Sequence, residues 1–263
     1  MGIRTDLAIE NFNYAEKDSY FCEKNGNFEL HFAEIFDAEK GKNGGGKYAT
    51  LYFENLERIT DFTPLQQQFL KAMKMLLNEG ERVLVVGLGN REITADSVGP
   101  KTAEKILATR HITGKFAEEI GLLGLKSVAV LVPNVLGNTG IEVQEILKGI
   151  LEETKVDTLI VIDALCAKNT DRIFKTIQLT DSGIAPGSGV KNKRKEISKK
   201  TLGVNVIAIG VPTVIEFPND NENLVVTPKE CDVLSDKISG VLSHCLNLFL
   251  QPDIDPEILF QLV

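Results

Sequence analysis

The chain has 263 residues, of which 43% are hydrophobic, so it is long enough to bury a core and we expect one domain spanning residues 1–263. Its 37 acidic and 29 basic residues give a net charge of -8, which disfavours a protein that holds nucleic acid by its phosphates. Neither a signal peptide nor an apolar run of membrane-spanning length is present, so we expect a cytoplasmic protein with no membrane partner.

The N-terminal 60 residues contain extended segments at 20–22, 29–36 and 50–53, separated by turns that include a triple glycine at 44–46. This composition predicts a hairpin-rich edge or flap that belongs to the same domain. Pro64 then opens a segment, 65–78, whose apolar residues recur at helical spacing. We therefore expect an amphipathic helix after the extended region.

From residue 83 onward, apolar strands alternate with helices. The predicted strands are 83–86, 127–132, 157–162 and 205–209, and the predicted helices are 99 to about 108, 142–152 and 231–250. Parallel strands need long crossovers, and those crossovers cover both faces of a sheet. The chain therefore predicts a single three-layer α/β domain with a largely parallel or mixed sheet and helices on both faces.

Two aspartates are placed where ligands collect in such sheets, at the carboxyl ends of strands. Asp96 follows the first predicted strand after residue 80, and Asp163 ends the third. Two carboxylates at one crevice can share a proton, one acting as a base toward water while the other polarises a carbonyl. An aspartate after a strand is also a common helix cap or turn residue, so this pattern alone leaves both interpretations open.

Three further features have both a functional and a structural interpretation. The segment 87–90, Gly-Leu-Gly-Asn, could hold an anion by its N–H groups, or its glycines could simply allow a sharp turn. The basic run 191–200 carries six positive charges, and it is either a solvated face or a loop that contacts an acidic substrate or closes over the site. Cys166 lies close to Asp163 in sequence, but it is more readily a packed thiol than a nucleophile.

The cysteines and histidines predict neither a disulfide framework nor a metal site. None of the three histidines follows another histidine or a cysteine at metal-ligand spacing, so we expect no metal and no cofactor. The four cysteines are scattered, and we expect buried or half-buried free thiols. These residues are His31, His111 and His244, with Cys22, Cys166, Cys231 and Cys245.

Separated motifs in a constant order resemble the germination proteases of spore-forming Firmicutes. They include Ile-Arg-Thr-Asp-Leu-Ala at 3–8 and Thr-Ala-Asp-Ser-Val-Gly-Pro at 94–100. Others lie at 87–90, 133–142, 162–165, 182–196, 207–214 and 226–230. The longer relatives insert several tens of residues between the segments that match Val214 and Val225, where this chain has a short linker.

The resemblance implies an atypical aspartic endopeptidase whose essential aspartates are Asp96 and Asp163. It implies a fold like that of hydrogenase-maturation endopeptidases, small acid-soluble spore proteins as substrates, a short acidic-hydrophobic cleavage site, and a homotetramer made as a zymogen in the spore core. Asn90, Asn134 and Glu142 are the further candidates for substrate contacts.

Two rival functions stay open from the sequence. One is a metal-recognising maturation endopeptidase, which predicts a histidine in the crevice, with His111 as a remote candidate. The other is a non-enzymatic module that binds an anion or a protein through the glycine loop.

Overall fold

The computed structural model describes residues 19–35, 45–77, 82–119, 121–167, 169–187, 194–218 and 223–262. The strands are β1 (Ser19–Asn25), β2 (Phe28–Ile35), β3 (Gly46–Phe53), β4 (Arg82–Gly87), β5 (Ser127–Leu131), β6 (Thr158–Ala167), β7 (Thr176–Thr180), β8 (Asn205–Pro218) and β9 (Asn223–Val226). The helices are α1 (Thr63–Leu76), α2 (Val98–Ala103), α3 (Gly114–Glu119), α4 (Leu136–Thr139), α5 (Val143–Thr154), α6 (Lys199–Leu202), α7 (Cys231–Leu250) and α8 (Pro256–Gln261).

The nine strands of the described residues belong to one mixed sheet in the order β1-β2-β3-β7-β8-β6-β4-β5, and β9 pairs with β8. The pairs β4–β5, β4–β6 and β6–β8 are parallel. The pairs that join β1, β2, β3, β7 and β8, and the pair β8–β9, are antiparallel. The structure therefore confirms the predicted α/β class with a mixed sheet.

Successive side chains of the central strands point to opposite faces of the sheet. Because these side chains are apolar on both faces, helices cover each face. In β6, Ile160 and Ile162 belong to one core cluster, which also contains residues of α1, α2 and α7. Leu159 and Val161 belong to a second cluster, which includes Leu147 of α5. The apolar runs of β4 and β6 are thus strands buried on two sides, whereas β5, at the edge of the described sheet, is only half-buried apart from Val128.

The predicted extended region becomes three antiparallel strands that belong to this same sheet, because β3 pairs with β7. Phe28, Leu30 and Leu51 place one face of these strands in the core cluster that contains α1. The motif at 3–8 and Gly44 of the triple glycine lie outside the described residues.

The predicted C-terminal ends of two strands are wrong. β6 and β8 extend beyond 162 and 209 because they continue to pair with each other up to Ala167 and Ile215. Asp163 therefore does not end its strand. It lies one residue beyond Ile162, which pairs with Gly87, the last residue of β4.

One predicted helix is shorter than expected: α2 ends at Ala103, after which Lys105 and Ile106 bond three residues back in tighter turns. In the part of the chain that the structure describes, no helix combines the length and the apolar character needed to cross a bilayer.

Candidate active site

A cavity of about 380 Å³ lies beyond the carboxyl end of β4, beside the continuing strands β6 and β8. Both candidate catalytic residues, Asp96 and Asp163, line this cavity. Asn134 and Glu142 line it as well. Asp96 comes from the loop after β4, Asn134 and Glu142 come from the segment after β5, and Asp163 lies within β6. The fold therefore brings together four candidates that are up to 67 positions apart in the sequence.

Asp96 ends a short 3-10 helix, Thr94–Asp96, in the loop between β4 and α2. The main-chain N–H of Asn90 donates to Asp96 Oδ2 at 2.8 Å. One residue earlier, the hydroxyl of Thr213 on β8 donates to the carbonyl oxygen of Ala95 at 2.6 Å. Asp96 is thus held from its own loop and from the central sheet.

Burial raises the pKa of Asp96 above the ordinary range, and the hydrogen bond from Asn90 opposes that shift only in part. The cause is desolvation, since removing water disfavours the charged form of a carboxyl group. Asp96 therefore keeps its proton to a higher pH than an aspartate in water.

The glycines of this loop allow a close approach that any side chain would block. Gly89 has φ 114°, and a Cβ there would lie 2.1 Å from the main-chain oxygen of Asp96. A Cβ on Gly99 would lie 2.1 Å from the oxygen of Leu88. The glycine pattern is therefore explained by packing of the β4 end against the start of α2.

The same loop uses its N–H groups within the protein. Leu88 donates its N–H to the oxygen of Ile162 at 2.8 Å, and Asn90 donates its own to Asp96. These two groups are therefore already satisfied and do not form a cradle for an anion.

Asp163 is only 4% exposed, and its Oδ1 accepts a hydrogen bond from the N–H of Ala164 at 2.9 Å. On one side its backbone pairs with Gly210 of β8. On the other side β4 has already ended at Gly87. Residues 163–166 of β6, which continue past the end of β4, line the cavity.

The three further candidates are placed differently. Asn134 lines the cavity with a left-handed backbone, φ 64°, and its Oδ1 accepts from Val135 N and Asn138 Nδ2. Glu142 lines the cavity at the N-cap of α5. Asn90 is not among the lining residues, and its Oδ1 accepts from the N–H of Glu92 at 3.0 Å. Asn90 therefore shapes the loop that presents Asp96.

Part of the basic run reaches the cavity, whereas 188–193 lie outside the described residues. Arg194 and Lys195 are lining residues. Lys195 Nζ donates to Glu145 Oε1 at 2.6 Å, and the side-chain amide of Gln144 donates to the oxygen of Glu196 at 2.5 Å. The segment that follows residue 193 is thereby fixed to the start of α5.

The sequence interpretation did not identify Thr213 or Gln144 as site residues. Both line the cavity and both are buried. Their hydrogen bonds go to main-chain carbonyls of distant segments, Ala95 and Glu196. A polar residue within an otherwise apolar strand is the only sequence signal that could have indicated Thr213.

The arrangement supplies two carboxyl groups, one of them with a raised pKa, at an otherwise largely apolar cavity. Such a pair can activate water and polarise a carbonyl without a nucleophilic side chain. All three histidines lie in the described ranges, and none of them lines this cavity.

Comparison with known proteins places these features in a family context. A family model described as germination protease matches residues 30–219. The chain is 35% identical to a germination protease of Caldanaerobacter subterraneus subsp. tengcongensis over 100% of this chain and 98% of the relative. It is 34% identical to one of Clostridium tetani over 98% of each chain.

The first of these alignments spans 328 positions against the 263 residues of this chain, so the relative carries insertions with respect to it. Among solved structures, the chain is similar to a [NiFe] hydrogenase maturation protease, HycI, from Thermococcus kodakarensis KOD1. The match covers 66% of this chain and 97% of that one, with 16% identity and a TM-score of 0.40.

Proposed function

The chain belongs to the germination protease family and is a peptidase; we propose that it cleaves small acid-soluble spore proteins by using the carboxyl groups of Asp96 and Asp163. The observation that carries this proposal is that both aspartates line one cavity although Asp96 lies in the loop after β4 and Asp163 lies within β6.

The proposed reaction is direct attack by water on the scissile carbonyl. Asp163, as carboxylate, takes a proton from water as the water oxygen attacks the carbonyl carbon, and Asp96, as carboxylic acid, gives its proton to the carbonyl oxygen. When the tetrahedral intermediate collapses, the C–N bond breaks and Asp163 passes its proton to the leaving nitrogen. Asp96 recovers its proton from the hydroxyl group, so both carboxyl groups return to their starting states.

The raised pKa of Asp96 supports this assignment of roles, because the acid must hold a proton when the substrate binds.

The rim of the cavity supports a substrate that combines acidic and apolar residues. Arg194 and Lys195 supply positive charge there, and Lys195 is already paired with Glu145. Ile93 and Val225 also line the cavity and are 53% and 45% exposed. An acidic side chain next to an apolar one would find a cation and an apolar contact at this rim.

The two rival functions receive less support. The maturation-type alternative calls for a histidine in the crevice, and His111 is exposed and does not line the cavity. The anion-binding alternative needs free N–H groups in the glycine loop, and those of Leu88 and Asn90 are bonded to Ile162 and Asp96. The homotetramer, the zymogen form and the location in the spore core are implied by the resemblance and are part of this proposal.

The test is digestion of a purified small acid-soluble spore protein by the wild type, Asp96→Asn and Asp163→Asn, each with and without a chelator. Asp181→Asn is the matched control, because burial also raises the pKa of Asp181 but this residue does not line the cavity. We expect discrete cleavage by the wild type and the control alone, unaffected by the chelator. Cleavage that survives Asp96→Asn or Asp163→Asn would remove that residue from the mechanism, and chelator-sensitive cleavage would favour the metal-dependent rival.

A further inference from the structure

Three side chains with metal-binding atoms meet on the β1–β2 hairpin, away from the cavity. Cys22 of β1 lies directly opposite His31 of β2, and Glu29 precedes His31 by two residues. Strand residues two apart share a face, so all three side chains are on one side of the hairpin. The opposite side carries Leu30 and packs into the core with α1.

The expectation that all cysteines are at least half-buried is wrong for Cys22, which is exposed. Linear spacing also gave no sign of this cluster, because Cys22 and His31 are brought together only by the antiparallel register.

The distances between these atoms fit a tetrahedral metal. Cys22 Sγ lies 3.6 Å from His31 Nε2, and Glu29 Oε2 lies 3.3 Å from the same nitrogen. Metal bonds of about 2.3 Å to sulfur and about 2.0–2.1 Å to nitrogen and oxygen put S and N roughly 3.6 Å apart, and N and O roughly 3.3 Å apart, at tetrahedral angles. All three atoms lie within 4.8 Å of one another.

Neighbouring residues orient the side chains of Glu29 and His31 through atoms other than the candidate metal ligands. Tyr20 Oη is 2.7 Å from His31 Nδ1, the ring nitrogen that faces away from the cluster. Lys24 pairs with Oε1 of Glu29 at 2.5 Å, which leaves Oε2 directed at His31. The ring of Tyr52 packs edge-on against His31 with 4.7 Å between centroids. Partners of this kind, behind the ligands, fix the orientation of metal-binding side chains.

We propose that Cys22, Glu29 and His31 bind a divalent transition-metal ion of intermediate softness, with Zn²⁺ as the best match, and that water supplies the fourth ligand. Thiolate and imidazole favour such an ion over Mg²⁺ or Ca²⁺, which prefer oxygen. On binding, the thiol of Cys22 releases its proton to water, and His31 donates its Nδ1–H to Tyr20. The site is separate from the proposed protease chemistry and does not depend on it.

The expected consequence is mechanical. Within the described residues, β1 is the edge strand and pairs only with β2. An ion bound by one residue of β1 and two of β2 would tie this edge to the sheet. We therefore expect Zn²⁺ to raise the melting temperature of the full chain.

The test uses Co²⁺ as a coloured substitute for Zn²⁺ in chelator-treated full-length protein. We expect one equivalent to produce a thiolate-to-cobalt absorption band that Zn²⁺ displaces. Cys22→Ser should abolish the band and His31→Gln should abolish one-equivalent binding, whereas Tyr20→Phe should weaken the affinity by about 10- to 100-fold. Glu23→Gln is the matched control, since Glu23 adjoins Cys22 but pairs with Lys71 on the opposite face, and it should bind like the wild type.

A second measurement needs no variant. Cys22 is the exposed one of the four cysteines, so it should react first with a thiol reagent, and one equivalent of Zn²⁺ should slow that reaction. The proposal is overturned if the wild type shows no thiolate band, if Cys22→Ser and His31→Gln bind the metal as the wild type does, or if Zn²⁺ leaves the reactivity of Cys22 unchanged.

Discussion

Substitution of Gly89 by alanine tests whether the glycine loop exists to position Asp96. The new Cβ would lie 2.1 Å from the main-chain oxygen of Asp96, whereas ordinary contact begins near 3.4 Å. The two atoms must therefore separate by about 1.3 Å, and no flexible side chain can absorb the movement because the obstructing atom is backbone. A displacement of about 1 Å in a catalytic group costs on the order of 100-fold in rate. We expect kcat/KM of Gly89→Ala to fall by at least that factor.

Gly203→Ala separates this effect from simple backbone strain. Gly203 also has a positive φ, 77°, but a Cβ there meets nothing within 4 Å. We expect it to lose about 1–2 kcal/mol of stability and to keep its activity. The assay is the single-turnover cleavage rate of each variant, and urea unfolding determines the fraction of each variant that is folded. Wild-type activity in fully folded Gly89→Ala, or an equal loss in Gly203→Ala, would refute the packing argument.

Three further predictions concern the surroundings of the site. Thr213→Val removes the hydrogen bond to the carbonyl oxygen of Ala95, which is worth about 1 kcal/mol, so kcat should fall by about 5- to 10-fold with KM unchanged. Thr213→Ser keeps the hydroxyl group and should keep its activity. Equal effects of the two substitutions would contradict a positioning role. Arg194→Ala should raise KM for an acidic substrate by about 3- to 5-fold in steady-state kinetics. Lys199 belongs to the same basic run but does not line the cavity, so Lys199→Ala should leave KM unchanged. Since burial raises the pKa of Asp96, the stabilisation from its protonated form is present at low pH and lost as pH rises through the raised pKa. The melting temperature of Asp96→Asn should therefore exceed that of the wild type at neutral pH, and the two should be equal at a pH below the ordinary pKa of aspartate. A wild type that is more stable than the variant at neutral pH would contradict the burial argument.

The buried strands and the long helices could be predicted from the sequence because their burial leaves a direct pattern. The run around Val85 is apolar on both faces, and the closing helix matches α7 at both ends. The sequence does not predict β7, because Thr176, Gln178 and Thr180 interrupt its apolar pattern although all of its residues are buried. β9 and α8 were also missed, and both are short.

The site could be predicted only as far as it follows from strand order. Asp96 and Asp163 follow from the rule that functional groups collect where parallel strands end, although for Asp163 the strand that ends is the neighbouring β4. The role of Thr213 could not be predicted, because it rests on a hydrogen bond to the main chain of a segment 118 residues away. The cluster at Cys22 depends in the same way on strand register, which pairs it with His31.

The central claim, that Asp96 and Asp163 act as one catalytic unit, is tested most directly by single-turnover cleavage rates of the wild type, Asp96→Asn, Asp163→Asn and the double variant. Residues that act as a unit give strongly non-additive losses. We expect each single variant to lose nearly all activity and the double variant to lose no more than either single one. Losses that multiply in the double variant, or a single variant that cleaves at the wild-type rate, would contradict the two-aspartate mechanism.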